Sequence, residues 1–407
     1  MSGSSRRIAH FSDTFLPRRD GVVTSIRALV AEQRSTGHHA LLVVPRHRGQ
    51  PADEVGVAVP ALTTPVADLR LALPMLRHLR AVLAWQPDVV HLHTPGLTGV
   101  LGLVVARKLG IPVVHSYHTD LRAYADAYRI PTALLWTCLF AYAAILRVSV
   151  GVPRHRHQVL DGFHTALLRD ADAVIVPTES VLTRVALPLP RDRVFVVPTG
   201  VCPEVTTPAA IAEFRSRRGI PARAPLVLFV GRVHREKGVE LLVQAFRRVL
   251  AEHPDAWLVF VGALYHDGWA RKVVEIAGIG HRTVLAGQQP ADVVAAAYAA
   301  ADLLAFPSLT DTQGLVLQEA ALAGLPSVMV DATLHSTDSI AGSAALATPD
   351  PTSLGKVISA LLADTTCRLA TGEAARLAAA PLSRASYGES VQAVYRTLDE
   401  RRPRRHR

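Results

Sequence analysis

Short apolar runs alternate with helix-length segments along this chain, and the same alternation occurs in both halves. In the first half the apolar runs are RIAHFSD (7–13), ALLVVP (40–45), DVVHLH (88–93), PVVHSYH (112–118), AVIVPT (173–178) and VFVVPT (194–199). In the second half they are PLVLFVG (225–231), WLVFVG (257–262), TVLAG (283–287), LLAFPS (303–308) and SVMVD (327–331). Alternation of this kind predicts parallel strands joined by crossover helices. We therefore predict an α/β protein with two Rossmann-like, doubly wound parallel-sheet domains facing a cleft.

The domain limits follow from length and from one polar connection. Helical periodicity is clearest at 24–35, 99–110, 239–253 and 291–301. A chain of 407 residues is too long for one ordinary domain and suits two. A polar, proline-rich connection around 203–225 separates the halves. We predict an N-terminal domain at 1–200 and a C-terminal domain at 201–385. A helix and basic tail follow at 386–407, for which a return to the N-terminal domain is one alternative.

Composition and charge exclude several classes of protein. Hydrophobic residues make up 49% of the chain, which is typical of a folded protein rather than a disordered one. The cysteines, Cys138, Cys202 and Cys367, have neither the spacing of a disulfide framework nor that of a zinc site. The net charge of +10 suits an anionic ligand, and without a nucleic-acid-binding motif we expect no nucleic-acid partner. The N-terminus lacks a signal-peptide core, so we expect a cytoplasmic protein.

One apolar stretch, at about 130–145, bears on membrane contact. It is shorter than the roughly 18 to 20 residues that span a bilayer. The basic residues Arg147, Arg154 and Arg156 follow it and can meet lipid phosphates. Peripheral contact with the inner face of a membrane is therefore an alternative to an ordinary buried helix.

Two loops have the composition of phosphate-binding sites. LFVGRVHREKGVELL (228–242) follows the first strand of the second half and opens a helix. Its Arg232 and Lys237 can converge with the helix N-terminus on one diphosphate. In SDTFLPRRDGVVTSI (12–26), Gly21 stands just before a helix and lets backbone N–H groups approach a phosphate, although it can also serve only the turn.

A third loop carries two acidic residues. FPSLTDTQGLVLQEAALAGLP (306–326) places Asp311 in a strand-to-helix turn and Glu319 on the helix, eight positions later. Carboxylates accept hydrogen bonds from vicinal hydroxyls, which suits a sugar or a ribose. The alternative is a helix-capping acid and an exposed glutamate. His91 and His93 alternate on one strand without an acidic partner, so we interpret them as structural rather than as metal ligands.

These loops resemble the family-4 retaining glycosyltransferases, which have the two-domain GT-B fold. The resemblance covers essentially the whole chain. Its most specific parts are GRVHREKG, the acidic pair in TDTQGLVLQEA followed by AGLP, and the opening DTFLPRRDGV. The resemblance implies these donor contacts: the diphosphate at Arg232, Lys237 and Gly21; the ribose at Glu319; and the transferred sugar at Asp311 and at the backbone N–H groups of Gln313, Gly314 and Leu315.

The resemblance also implies residues on the acceptor side. His118, in HSYHTD, matches a histidine that lies near the transferred sugar in the family, and we assign it sugar binding and acceptor-side stabilisation. Tyr124 and Tyr128 either line the acceptor site or pack in the core. Together with His118, the residues Arg232, Lys237 and Asp311 form the predicted catalytic set.

Three positions depart from the family pattern. Asp311 replaces the usual glutamate, Gln313 stands where phenylalanine is common, and Asp20 precedes Gly21 where a second glycine is frequent. The first two can alter which donor sugar fits. The segment 332–346 also matches the usual glycine-pair loop poorly.

The implied activity is transfer of a sugar from a nucleotide diphosphate sugar to an acceptor hydroxyl, with retention at the anomeric carbon and with neither a metal nor a cofactor. The TQGL version of the acidic motif is familiar among relatives that glycosylate lipids, which implies a membrane-lipid acceptor of the diacylglycerol or phosphatidylinositol type. A small polyol or aminocyclitol acceptor, as in antibiotic synthesis, is one alternative. A non-catalytic nucleotide-sugar-binding protein is another.

Overall fold

The computed structural model describes residues 5–63, 70–127, 130–151, 153–202, 204–264 and 267–401. The chain forms two compact units. The first consists of the chain up to Gly200 together with the segment from Arg384 onward, and the second is Val201–Ser383. The limits predicted from the sequence are 200/201 and 385/386.

The first unit contains a parallel sheet and a small hairpin. Its strands are β1 (Arg7–Phe11), β2 (His39–Pro45), β3 (Val57–Val59), β4 (Ala61–Thr63), β5 (Arg70–Ala72), β6 (Val89–Leu92), β7 (Val113–Ser116), β8 (Ala173–Val176) and β9 (Val194–Val196). The sheet has the order β3-β2-β1-β6-β7-β8-β9, with every pair parallel. β4 and β5 pair antiparallel. The six predicted strands are present, and the sequence missed β3, a short strand at the sheet edge.

Helices follow most of these strands. They are α1 (Gly21–Ser35), α2 (Leu76–Trp85), α3 (Leu97–Leu109), α4 (Leu121–Ala127), α5 (Thr132–Leu146), α6 (Arg156–Leu168) and α7 (Glu179–Arg184). Local signals set their ends. Asp20 caps α1 by accepting a hydrogen bond from Val23 N at 3.0 Å, and Gly110 ends α3 in the left-handed conformation. The strands β6 and β8 are buried at every position because helices cover parallel sheets on both faces.

The second unit repeats this architecture. Its strands are β10 (Leu226–Val230), β11 (Trp257–Val261), β12 (Thr283–Gly287), β13 (Leu303–Phe306), β14 (Ser327–Met329) and β15 (Ala345–Leu346). They form one parallel sheet in the order β12-β11-β10-β13-β14-β15. Its helices are α8 (Pro208–Ser216), α9 (Val239–Glu252), α10 (Asp267–Ile276), α11 (Ala291–Ala300), α12 (Leu315–Leu322), α13 (Ala332–Thr337), α14 (Pro351–Ala363) and α15 (Thr365–Ala379). The predicted fold class, two Rossmann-like parallel-sheet units, is confirmed.

The last helix, α16 (Arg384–Arg401), belongs to the first unit. It packs along α1, where its Tyr387, Val391 and Tyr395 are buried in a cluster with Ile8 and Leu29. The helix therefore supplies one wall of the first unit's core, although it lies far from that unit in the sequence.

Candidate functional site

In the second unit, the predicted donor residues lie at the carboxyl ends of β10 and β13, which are neighbours in the sheet. Arg232 and Lys237 follow β10, and Asp311 follows β13. Lys237 Nζ lies 2.7 Å from Asp311 Oδ1, so the residue predicted to hold the diphosphate and the one predicted to hold the sugar form an ion pair. Arg232 pairs with Glu236 at 3.3 Å. Parallel sheets bind their ligands at this edge.

Two glycines allow these loops to approach one another. Gly238 has φ +70°, and a Cβ there would lie 2.3 Å from Pro307 O. Gly314 has φ +74° and directly precedes α12. Residues with side chains rarely adopt this conformation, so both positions require glycine.

The charges of the cluster keep Asp311 ionised. Burial alone would raise the pKa of this carboxyl, but the charge and hydrogen bond of Lys237 oppose it. A hydrogen bond from Ser308 and the charge of Arg232 add to that effect, so the pKa lies below its ordinary value. The two cations are therefore partly neutralised by carboxylates that a diphosphate would have to displace.

Glu319 has a partner that the sequence did not reveal. Tyr298, on α11, donates a 2.6 Å hydrogen bond from its hydroxyl to Glu319 Oε2. Burial raises the pKa of Glu319, and this hydrogen bond acts in the opposite direction. Tyr298 is buried and leaves the second carboxylate oxygen to other donors. In the sequence, Tyr298 is one residue of an alanine-rich helix, and no motif marks it.

The predicted amide donors lie where α12 begins. Gln313 is buried, Gly314 is the N-cap and Leu315 is the first helical residue. Backbone N–H groups at a helix N-terminus attract anions and sugar oxygens. The poorly matching segment 332–346 contains α13, which Asp331 caps through Leu334 N.

In the first unit, Gly21 begins α1, as the phosphate interpretation requires, but Asp20 occupies part of this N-terminus. Its carboxylate accepts hydrogen bonds from Val23 N and, at 2.7 Å, from Arg18 Nε. One of the amide donors expected to meet a phosphate is therefore already used, and a negative charge stands beside it.

His118 follows β7 and is half-buried. Its Nε2 lies 3.1 Å from His93 Nδ1. Burial lowers the pKa of His118 to about 4, against the opposite influence of Asp20, so its imidazole is neutral at neutral pH. Tyr124 lies in α4, and Tyr128 lies outside the described residues.

Three buried histidines lie next to His118 in the core of the first unit. His10, His91 and His93 are buried, and their nearest ring nitrogens lie within 4.8 Å of one another, a spacing that can hold a metal ion. Hydrogen bonds occupy both nitrogens of each ring in this described cluster. This arrangement suits the structural role predicted for His91 and His93, whereas metal independence itself stays a prediction.

The apolar stretch at 130–145 forms α5. Within the described part of the chain, no helix is long and apolar enough to cross a membrane. Arg147 and Arg154 are exposed. Arg156 differs from the prediction that it can meet lipid, because it pairs with Asp126 at 2.8 Å and donates to backbone carbonyls of 125 and 130. It holds α6 to α4 and to Ile130 instead.

Comparisons with known proteins identify the family of the chain. The family model for Glycosyltransferase Family 4 matches residues 19–205, and that for glycosyl transferases group 1 matches residues 210–378. A GDP-mannose-dependent alpha-mannosyltransferase of Mycolicibacterium smegmatis is 33% identical over 335 residues, which cover 80% of each chain. The alpha-monoglucosyldiacylglycerol synthase of Streptococcus pneumoniae is 27% identical, over 79% of this chain and 70% of that one.

A solved structure extends the likeness to the fold. Sucrose-phosphate synthase of Thermosynechococcus elongatus superposes with a TM-score of 0.73 at 21% identity, over 97% of this chain and 99% of that one. The shared architecture, the two family models and the relative at 33% identity together show the family of the chain. The chain belongs to the family-4 glycosyltransferases, with the GT-B fold.

Proposed function

We propose that this glycosyltransferase moves a hexose from a nucleotide diphosphate sugar to a hydroxyl of a membrane lipid, with retention at the anomeric carbon and without a metal ion. The observation that carries the proposal is the cluster at the ends of β10 and β13. In this cluster two cations, Arg232 and Lys237, pair with the carboxylates of Glu236 and Asp311. The N-termini of α9 and α12 lie in the same two loops.

The cations serve the donor diphosphate. Lys237 exchanges Asp311 for a phosphate oxygen, and Arg232 exchanges Glu236 in the same way. Both then stabilise the negative charge that grows on the leaving nucleoside diphosphate. Released from Lys237, the ionised Asp311 accepts hydrogen bonds from hydroxyls of the transferred sugar.

Glu319 serves the ribose. Tyr298 fixes one carboxylate oxygen, and the other accepts hydrogen bonds from the vicinal ribose hydroxyls. This contact selects a nucleotide without distinguishing its base.

The chemical step needs no nucleophile from the protein. The bond between the anomeric carbon and the diphosphate oxygen breaks, and the acceptor oxygen bonds to the same face of that carbon. The proton of the acceptor hydroxyl passes to the departing diphosphate, so atoms and charges balance. The role of the site is to orient the donor and to stabilise the leaving group.

For the donor, GDP-mannose is the first candidate, because the similar protein of M. smegmatis is named as GDP-mannose-dependent. Asp311 and Gln313 depart from the family pattern, and a preference for a different hexose would depend on these two residues.

A lipid acceptor is supported by α5. Its exposed residues include Thr137, Phe140, Ala141, Ala144 and Ile145, at the spacing of one side of a helix. Phe140 and Ile145 are 41% and 51% exposed, so two large apolar side chains face solvent on this side of the helix. The exposed Arg147 and Arg154 follow, and the similar protein of S. pneumoniae is named alpha-monoglucosyldiacylglycerol synthase. We therefore propose that the protein works at the cytoplasmic surface of a membrane.

The donor site is tested by calorimetry with a panel of nucleoside diphosphate sugars, in buffer containing EDTA. Arg232→Ala and Lys237→Ala should each weaken binding of the one accepted donor at least tenfold, the loss expected for a charge-assisted contact. Arg235→Ala is the matched control, because Arg235 lies in the same turn but is 56% exposed and pairs with Glu240. Equal effects of all three substitutions would contradict the site, and loss of binding with EDTA would contradict metal independence.

The acceptor is tested by release of nucleoside diphosphate in the presence of vesicles containing diacylglycerol or phosphatidylinositol, compared with soluble polyols and aminocyclitols. Proton NMR of the product gives the anomeric configuration. Release that depends on vesicles, with the donor configuration kept, supports the proposal. Release with soluble acceptors alone favours the polyol alternative, and donor binding without release under any condition favours a non-catalytic binding protein.

A further inference from the structure

A continuous row of hydrogen-bonded side chains runs through the core of the first unit and ends at His118. It begins at Gln33 on α1, whose Oε1 lies 2.7 Å from His10 Nε2. His10 Nδ1 lies 3.0 Å from His93 Nε2, and His93 Nδ1 lies 3.1 Å from His118 Nε2. Gln33, His10 and His93 are buried, so water does not compete for these contacts.

The sheet brings these residues together. His10 on β1 pairs in register with His91 on β6, and His93 follows His91 by two positions. Side chains two positions apart in a strand share one face, so the three rings lie on the same side of the sheet. The rings of His91 and His93 stack with centroids 4.3 Å apart.

The row has a direction because a neutral imidazole carries one N–H and one lone pair. Burial lowers the pKa of His10 to about 4 and that of His93 well below its ordinary value, so each ring is neutral. The carbonyl oxygen of Gln33 only accepts, and so His10 carries its proton on Nε2. His10 Nδ1 then accepts from His93 Nε2, and His93 Nδ1 accepts from His118 Nε2.

A branch of the same network orients the amide of Gln33. Gln33 Nε2 lies 3.4 Å from the hydroxyl oxygen of Tyr395 on α16, and that oxygen lies 2.6 Å from His91 Nδ1. A phenol is a better donor than acceptor, and 2.6 Å is the length of a bond that a hydroxyl donates to a ring nitrogen. The Tyr395 oxygen therefore accepts from the Gln33 NH2 group, which leaves the Gln33 carbonyl facing His10.

We propose that Gln33 and Tyr395 set the tautomer of His118, with the proton on Nε2 and the lone pair on Nδ1. They act through His10 and His93 and are positioning residues for His118. Resting on the proposed function, the consequence is that His118 Nδ1 accepts a hydrogen bond from a substrate hydroxyl. Without the row, His118 would divide between two tautomers, of which one is a donor at that position.

The tautomer is measured directly by long-range proton–nitrogen NMR on the full-length protein labelled with 15N-histidine, with no donor or acceptor present. His118→Gln assigns the His118 signals. We expect a protonated Nε2 and an unprotonated Nδ1 for His118, His93 and His10. A protonated Nδ1 on His118, a charged ring, or averaged nitrogen shifts in the wild-type protein would each overturn the proposal.

Variants test the cause. Gln33→Met removes the acceptor at nearly unchanged volume, and Tyr395→Phe removes the hydroxyl that orients the amide. Each should convert the single His118 tautomer into a mixture. The matched control is Ser116→Ala, which removes the buried hydroxyl 2.8 Å from His91 Nε2 at the end of the branch, outside the row to His118. It should leave the His118 signals unchanged, and an equal change in all three variants would overturn the proposal.

Turnover gives a second readout. Gln33→Met should lower kcat at least on the order of tenfold, as misorientation of an imidazole does in other enzymes, while Ser116→Ala stays near the wild type. Because the NMR measurement needs no substrate, failure of the two proposals can be distinguished. A fixed tautomer without turnover would refute the proposed function alone, and turnover with a mixed tautomer would refute this inference alone.

Discussion

Lys237 pairs with the carboxylate of Asp311, and in the proposed donor site this pairing sets the balance between donor binding and sugar recognition. Its 2.7 Å contact with Asp311 is charge-assisted on both sides. In the proposed site, a diphosphate must replace that contact, and the released Asp311 can then accept hydrogen bonds from the sugar hydroxyls. The proposal therefore gives Asp311 opposite effects on the binding of the nucleotide and of the sugar.

Replacing Asp311 by Asn should separate these effects. The substitution removes the competing charge, so a nucleoside diphosphate without a sugar should bind about tenfold more tightly, the equivalent of ~1.5 kcal/mol for a charged hydrogen bond. Transfer should fall because the sugar loses its acceptor. Calorimetry with the nucleoside diphosphate measures the first effect, with Glu240→Gln as a control for an exposed carboxylate of the same unit. Weaker nucleotide binding by Asp311→Asn would contradict this account of the pair.

Tyr298 should control the charge of Glu319. The Tyr298→Phe substitution removes a hydrogen bond that stabilises the carboxylate, and so the pKa of Glu319, already raised by burial, should rise further. The ribose contact needs the ionised form, so donor affinity should fall more at about pH 6 than at about pH 8. Donor dissociation constants at both pH values measure the effect. A loss of affinity independent of pH would mean that Tyr298 acts by packing alone.

At the scale of elements, the site depends on how closely two strand-to-helix loops approach. The loop after β10 turns at Gly238 against the backbone of Pro307, which directly follows β13. The loop after β13 turns at Gly314 and begins α12. Gly238 therefore allows the two loops to approach closely. The sequence motif around Gly238 does not reveal this packing.

Gly238 and Gly278 offer a matched test of this packing. Both have φ +70°, but a Cβ at Gly278 meets no atom within 4 Å, whereas one at Gly238 would lie 2.3 Å from Pro307 O. Gly278→Ala should lower the free energy of unfolding by about 1 kcal/mol, because alanine is strained in the left-handed conformation. Gly238→Ala should lower the free energy of unfolding by more than this and should weaken donor binding, because the loop must move. Urea denaturation and calorimetry measure both effects, and equal costs would show that the loop accommodates the methyl group.

At the scale of the whole molecule, the two units should respond differently to acid. The first unit buries neutral histidines whose folded pKa lies below the ordinary value near 6.5, about 4 for His10 and His118. The unfolded chain binds these protons first, so this contribution to stability is complete above about pH 6.5 and is lost toward pH 4. In the second unit, burial raises the pKa of Glu319 and Asp338, which acts in the opposite direction.

The expected result is a selective loss of stability in the first unit. Its free energy of unfolding should fall by up to about 1.4 kcal/mol per pH unit for each such histidine between pH 6.5 and 4. Hydrogen exchange of amides in β1 and β6, compared with β10 and β13 as an internal reference, measures the difference after correction for the intrinsic rates. Equal weakening of both units would indicate that the buried histidines do not control acid stability.

The sequence by itself determined the fold class and identified candidate residues for the donor site. Strand and helix positions follow from periodicity, which depends only on neighbours along the chain, and the predicted runs became strands in both units. Among the described residues, the strands that escaped prediction are β3–β5 and β15, each of two or three residues. Arg232, Lys237 and Asp311 were recognisable as candidates because each stands in a strand-to-helix turn, and Glu319 because it lies on the helix that follows Asp311.

The tertiary structure alone decided which side chains meet. Lys237 and Asp311 are 74 positions apart, and His91 and Tyr395 are 304 positions apart. Tyr298, Gln33 and Tyr395 carry no motif, since an ordinary helix position becomes a hydrogen-bond partner only when another element packs against it. Likewise, the helix N-terminus at Gly21, where we predicted a phosphate, is capped by the carboxylate of Asp20. Local patterns encode the elements, whereas partners depend on packing geometry, which no short segment of sequence contains.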